Sequence, residues 1–337
     1  MPPRNPPDPP RLAVVVATYA RAHLLPRLLG ALDNQVGAPP FEVVIVDDAS
    51  PDDTAKVLDE LADRTALQVH VIRQPRNRGP AAARNVGWRA TSAPLLAFTD
   101  DDCAPEPGWL QALAAGLETS DVAQGRTIPD PDELGRTGPF SRSLSVEAED
   151  GFYQTCNIGY RRRVLDEHGG FDEQFRFPAG EDTDLAWRAR AAGASTTFRA
   201  DAVVRHTVRP SSFLTAVRDT WRWQSVALAL RRNPGLRTLI YQRWVWRKAH
   251  LLLSVTATLT ALALALTVTG NAVAVAAGWI AAAASAAPYA VLRLHDQPMP
   301  GVGLRRRVVL LPAAVVVDAA EIVACLVGSV RYRRFVL

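Results

Sequence analysis

Two apolar stretches, residues 249–269 and 272–292, constrain this chain most. Each is long enough to cross a bilayer, which takes about 20 apolar residues. Only Gly270-Asn271 separates them, so they read as a hairpin whose flanking segments lie on one side. Those flanks are basic: Arg231-Arg232, Arg243 and Arg247-Lys248 before, Arg305-Arg306-Arg307 after, and a further cluster at 331–334. The net charge is only +4. Its placement beside apolar segments marks a cytoplasmic membrane face and not nucleic-acid binding. A third apolar run, 308–330, carries Asp318 and Glu321 on one helical face. Each acid at mid-bilayer costs about 2.5–3.5 kcal/mol on insertion scales. A third span would put the basic C-terminus on the far side, so spanning and lying in the interface both stay open.

Residues 211–248 hold half of the chain's eight tryptophans, interleaved with arginine. That composition predicts amphipathic helices lying in the headgroup region. The first ten residues are mostly proline and read as a solvated tail without the apolar core of a signal peptide. The expected location is the cytoplasmic (inner) membrane, with the soluble part facing the cytoplasm. Cys103, Cys156 and Cys325 are too scattered for a disulfide framework or a zinc site, which suits a reducing compartment.

Between 11 and 210 the pattern alternates. Apolar runs at 12–17, 42–46, 69–73 and 95–99 read as strands, and 23–35, 53–64 and 79–90 as helices. Such alternation predicts an α/β domain with a mostly parallel, Rossmann-like sheet. Beyond it, 109–117, 161–168 and 181–192 read as helices, and 122–128, 152–160, 195–198 and 202–206 as extended. The polar stretch 130–150 reads as a mobile loop. Neither common glycine-rich phosphate loop is present in the sequence.

Asp100, Asp101 and Asp102 end the fourth apolar run. A buried strand that stops in carboxylates places them at the ligand-binding edge of an open sheet. In extended backbone, residues two apart share a side, so Asp100 and Asp102 are expected to share one target and Asp101 to face elsewhere. Crowded carboxylates repel unless compensated, and a hard divalent ion, Mg²⁺ or Mn²⁺, compensates them while bridging to phosphates.

Five motifs then occur in order: Ala17-Thr18-Tyr19, Val46-Asp47-Asp48, Arg84-Asn85 within Gly79-Pro80-Ala81-Ala82-Ala83-Arg84-Asn85-Val86-Gly87, the aspartate triplet, and Gly180-Glu181-Asp182-Thr183-Asp184-Leu185. Together, across about residues 11–210, the chain resembles the family 2 glycosyltransferases, inverting enzymes with the GT-A fold. The resemblance implies that Thr18 and Tyr19 meet the nucleotide and that Asp48 binds its base. It implies that Arg84 approaches the diphosphate, which a guanidinium fork suits. It makes Asp102 the direct metal ligand, Asp100 a ribose or water contact beside the metal, and His206 a metal or diphosphate contact. Asp182 would be the catalytic base, with Glu181 orienting the acceptor. Asn157 and Gly159 would line the acceptor pocket. Each has a plainer reading: Asp48, Glu181 and Asp182 as capping carboxylates, Arg84 in a salt bridge, His206 as a structural imidazole, and Trp109 in the core.

The implied donor is a nucleotide-diphosphate sugar, UDP-sugar first, and the acceptor a lipid-linked or cell-envelope glycan held near membrane lipid. The processive Gln-x-x-Arg-Trp motif is replaced by Gln242-Arg243-Trp244, with the wrong spacing, so single-sugar transfer is expected. Two rivals stand: a sugar nucleotidyltransferase, which usually has a basic glycine-rich loop absent around Ala17-Thr18-Tyr19-Ala20-Arg21, and a non-catalytic membrane scaffold that keeps a sugar-nucleotide fold.

Overall fold

The computed structural model describes residues 9–136, 138–268, 270–295 and 303–337. The expected tail lies almost wholly outside the described residues. The chain forms two compact units, one from residues 1–135 and 143–208 and the other from 136–142 and 209–337.

The first unit is an eight-stranded sheet. Its strands are β1 (Leu12–Thr18), β2 (Phe41–Asp47), β3 (Val69–Arg73), β4 (Leu95–Thr99), β5 (Cys103–Pro105), β6 (Val122–Pro129), β7 (Asn157–Arg161) and β8 (Thr196–His206), in the order β3-β2-β1-β4-β7-β6-β8-β5. The first four run parallel, joined through α1 (Leu25–Asp33), α2 (Thr54–Arg64) and α3 (Pro80–Arg89). β7 lies antiparallel between β4 and β6. The rest of the unit's helices are α4 (Trp109–Thr119), α5 (Arg162–His168) and α6 (Glu181–Ala191).

The apolar runs of β1 and β2 are buried on both faces, as a covered parallel sheet requires. Alternate residues of β1 enter different cores. Leu12, Val14 and Val16 pack with α1, α2 and α4, whereas Ala13 and Val15 pack with α3, α5 and α6. The result is helix, sheet, helix.

Three readings of the sequence change. The expected pair of closing strands is one strand, β8, whose register against β6 shifts between Gly125 and Arg126. Strand β5 was not expected at all. The polar stretch after Pro129 is not a featureless loop: it carries a 3₁₀ turn, Pro131–Arg136, and Val146 pairs back to Thr127.

The second unit contains α7 (Phe213–Asp219), α8 (Ser225–Arg232), α9 (Lys248–Thr267), α10 (Ala272–His295) and α11 (Leu304–Tyr332), with a 3₁₀ turn at Thr220–Gln224. The last three helices are long and apolar enough to cross a membrane. The acids of the third apolar run are partnered. Asp318 is fully buried against Arg293 and accepts from Tyr289 Oη at 2.7 Å. Glu321 meets Arg247 at 3.3 Å and His250 at 3.1 Å. Partnered acids facing other helices remove the main objection to placing α11 in a membrane.

Candidate active site

The parallel strands β1, β2 and β4 end together, at Thr18, Asp47 and Thr99, and this edge gathers the acidic motifs. After β4 the backbone turns at 101–102 instead of continuing extended. The turn feeds β5, which pairs antiparallel with the end of β8 and sets Cys103 opposite His206. The N–H of Thr207 donates to the Asp102 carbonyl at 2.9 Å and locks that junction.

The turn redistributes the triplet. Asp100 accepts from Arg84 Nη2 at 2.8 Å. Asp101, buried, accepts from Thr18 Oγ1 at 2.8 Å and from Arg21 Nη1 at 2.5 Å. Asp102, also buried, takes the same Arg21 nitrogen at 3.0 Å. Asp101 and Asp102 therefore share a partner, and Asp100 faces Arg84. The expected pairing of Asp100 with Asp102 fails because i, i+2 alignment holds only in extended backbone. Burial and its acidic neighbours push Asp101 up to about 6, while Arg21 pulls the other way.

His206 Nδ1 lies 2.9 Å from the Thr207 carbonyl. Donation there leaves Nε2 with the ring's free electron pair, 3.6 Å from Asp102 Oδ1. Asp102, Cys103 and His206 each place one ligand atom within 4.8 Å of the others. Burial and Asp102 hold the Cys103 thiol well above its ordinary value, so it stays protonated and is a poor ligand for a hard ion. The donor set that fits a divalent ion is Asp102 with His206. Asp100 is not among these three groups.

The helix starts supply the rest. Gly79 caps α3 with φ of 89°, and a Cβ there would lie 2.9 Å from the Arg176 carbonyl, so only glycine fits. Gly180 caps α6 at φ of 92° and turns Glu181 and Asp182 into its first turn. Arg84, buried on α3, reaches Glu181 Oε1 and Asp100 Oδ1, both at 2.8 Å, and so ties α6 to the end of β4. Its plainer salt-bridge reading is what the geometry displays. Glu181 is buried, and its Oε2 has no hydrogen-bond partner. Burial and Asp182 push Glu181 up to about 7 against the pull of Arg84. Asp182 is only partly buried; it accepts from Thr183 N at 2.7 Å and Thr155 N at 3.4 Å. Burial raises its pKa too, with those amides and Arg84 opposing. A helix start that simply keeps both acids ionised does not describe this site.

Asp48 accepts from Gln74 Nε2 at 2.6 Å, from Arg78 N at 2.9 Å and from Gly79 N at 2.8 Å. It therefore anchors the loop before α3. Beside that loop opens a cavity of about 420 Å³ lined by Arg76, Asn77, Arg78, Gly79, Glu173 and Arg176. Thr18 is buried on Asp101, whereas Tyr19 is 46% exposed at the sheet edge.

Asn157 and Gly159 are corrected outright. Asn157 is 1% exposed, and its amide is fully used by Trp109 Nε1 and by the Arg126 and Ala202 carbonyls, each at 2.8 Å. Gly159 lies inside the sheet opposite Ala97 and Ala123. Both hold strands together and neither faces a cleft. Trp109 is core, as its plainer reading has it.

Arg21 is the site residue that sequence reasoning missed. Ala20, just before it, has φ of 54°, an uncommon left-handed value that folds the chain back over the sheet edge. The only signal was a basic residue three positions beyond the end of the first strand.

Comparison with known proteins fits this geometry. The Glycosyl transferase family 2 pattern matches residues 13–171, and the Glycosyltransferase like family 2 pattern matches 145–225. Validoxylamine A glucosyltransferase of Streptomyces hygroscopicus subsp. limoneus is 31% identical over 225 residues, which cover 56% of this chain and 49% of that protein. The chain thus spans about half the length of such relatives. Glycosyltransferase AglE of Haloferax volcanii is 28% identical, covering 72% of this chain and 84% of its own. Among solved structures, the Pyrobaculum calidifontis mannosyltransferase PcManGT, in complex with GDP-Man and Mn²⁺, superposes with a TM-score of 0.58 at 19% identity, covering 96% of this chain and 88% of its own. That likeness establishes the GT-A fold.

Proposed function

The chain belongs to glycosyltransferase family 2, and on that premise we propose that it is an inverting, membrane-associated transferase. It would move one sugar from a nucleotide-diphosphate donor, UDP-sugar first, to a lipid-linked or envelope-glycan acceptor. The observation that carries this reading is the division of the acidic edge. Asp182 is the one partly exposed carboxylate on α6, while Glu181 beside it is buried on Arg84.

Asp182 takes the acceptor hydroxyl's proton as that oxygen attacks the anomeric carbon and the nucleoside diphosphate leaves from the opposite face. Its raised pKa makes it a stronger base than an ordinary carboxylate, and the Thr183 and Thr155 amides hold its oxygens in place. Arg84 positions Glu181 and Asp100, giving one guanidinium nitrogen to each. The cleft-edge Tyr19 and the basic cavity beside Asp48 are where the donor's nucleotide would lie. A divalent ion, Mn²⁺ or Mg²⁺, would be held by Asp102 and His206 and, when bound, would offset the charge of the departing diphosphate. Asp100, expected beside the metal, is assigned instead to holding Arg84. We place the catalytic unit on the cytoplasmic side of the inner membrane, because nucleotide sugars are cytoplasmic and the basic flanks of α9 and α10 favour that face.

Transfer of labelled sugar to membrane glycolipid is the test. Asp182→Asn should lower the rate by about 10²–10⁴-fold with donor binding intact. Equal rates would remove Asp182 as base. Donor binding without turnover by the wild type, across varied acceptors, would favour a scaffold; pyrophosphate release would favour a nucleotidyltransferase.

A further inference from the structure

The second unit gathers more positive charge than negative at one place. Arg142 and Arg222 lie within electrostatic reach of two carboxylates, Asp219 and Glu321, and of Arg247, with Arg209 beside Arg142. The carboxylates are already engaged: Asp219 with Arg142 at 3.1 Å, and Glu321 with Arg247 at 3.3 Å and His250 at 3.1 Å.

Arg222 is left over. Among the described residues its guanidinium makes neither a hydrogen bond nor an ion pair, and its Nε is buried without a partner. It lies 4.6 Å from the centre of the Trp223 ring, and Arg247 lies 5.3 Å from the same ring. Trp223 is braced in turn by Trp246 at 5.2 Å. Burial and the neighbouring Arg142 lower Arg222 to about 10, a measure of how poorly the cation is compensated. Two guanidinium groups over one indole, one with an open hydrogen-bonding edge, match the oxygens of a phosphate.

The position says where the phosphate comes from. Arg222 and Trp223 sit in the Thr220–Gln224 turn, and Arg247 caps α9, the first helix able to cross a membrane. Trp221 and Trp244 are 44% and 54% exposed. Tryptophan and arginine at the end of an apolar helix mark headgroup depth.

We propose that the second unit binds the phosphate group of a membrane amphiphile, with Arg222, Arg247 and Arg142 as donors and Trp223 as the floor. Two sources share that chemistry: the headgroup of a bulk anionic phospholipid, and a phosphorylated acceptor lipid. The second source rests on the lipid-linked acceptor proposed above. The experiment reads lipid binding and not transfer, so its failure leaves the donor chemistry standing.

The full chain in detergent is titrated with farnesyl phosphate and farnesol, and bound lipid is counted by native mass spectrometry. Farnesyl phosphate should bind at least about 10-fold more tightly than farnesol, since charged hydrogen bonds typically contribute that much. Arg222→Gln should remove the preference, and Arg222→Lys should keep most of it. Arg218→Gln, at a side chain 81% exposed, should leave it unchanged. Displacement by equimolar phosphatidylglycerol identifies a bulk-lipid anchor; displacement by farnesyl diphosphate alone identifies a phosphorylated acceptor. Equal binding of farnesol and farnesyl phosphate, or an undiminished preference in a folded Arg222→Gln protein, overturns the proposal.

Discussion

The two units gather charge in opposite excess. At the sheet edge, Asp100, Asp101, Asp102, Glu181 and Asp182 converge on two arginines, Arg21 and Arg84. In the helical unit, Arg142, Arg222 and Arg247 surround Asp219 and Glu321, and Arg209 adds a further cation beside Arg142. A surplus of carboxylates suits a cation, and a surplus of guanidinium groups suits an anion. Asp318 with Arg293 and Tyr289 is the balanced case, and it does no more than join α10 to α11. Asp318 is as buried as Glu181 and Asp102, and Asp219 and Arg247 are more exposed than any of these, so burial does not sort the sites from the fastening. The ratio of acid to base, and which groups keep unpaired atoms, distinguishes a site from a fastening.

The largest way to break the comparison is at Asp102. Asp102→Ala removes one of the two donors proposed for the ion, so transfer should fall by at least about 10³-fold. Mn²⁺ should also cease to raise the melting temperature in the presence of nucleotide, because a ligand stabilises only a state that binds it. A Mn²⁺ shift that persists in the variant would place the ion elsewhere.

Arg84 should dominate stability. Arg84→Met leaves Glu181 buried without its cation and frees Asp100, and breaking a buried pair in this way costs about 3–5 kcal/mol. Chemical denaturation monitored by circular dichroism measures it. Arg84→Lys should recover only part, because one ammonium lacks the fork that spans both acids. A loss under about 1 kcal/mol would mean that the acids are compensated by other groups.

Glu181 sharpens the point through pH. Its carboxyl titrates near 7 in the folded protein against 4.5 ordinarily, so the folded state holds the proton more tightly. Stability from this group is fully present below about 4.5 and is lost as pH rises towards about 7. The loss is on the order of 2–3 kcal/mol across that window. Glu181→Gln keeps an oxygen for Arg84 and should flatten the profile between those limits. An unchanged slope would shift the raised titration to Asp182 or Asp101.

Much of this was legible beforehand. Strand and helix alternation, the apolar helices and the ordered motifs all follow from local patterns of two, 3.6 or about 20 residues. What was not legible depends on contacts across the chain. Strand β5 is only Cys-Ala-Pro, too short for a period, and exists because β8 pairs with it. Arg84 and Glu181 are 97 residues apart in sequence, and nothing local couples them. Asn157 was expected in the acceptor pocket only through the family resemblance, and nothing local shows the three tertiary hydrogen bonds that make its burial tolerable. Arg21 reached the aspartates through one left-handed alanine.

The smallest expected effect is the most discriminating between the two units. Arg222 and Arg84 are both arginines in crowded charged surroundings, but Arg84 makes two ion pairs and Arg222 makes none among the described residues. Removing a charge that has no hydrogen-bond or ion-pair partner among the described residues exposes no orphan and relieves repulsion from Arg142, and this offsets the loss of its contact with the Trp223 ring. Arg222→Gln should therefore change stability by no more than about 0.5 kcal/mol, or raise it slightly, where Arg84→Met unfolds readily. Thermal melts of the two variants side by side decide it. A clear loss at Arg222 would show that the residue fastens the helical unit, and the surplus of positive charge there would then be structural after all.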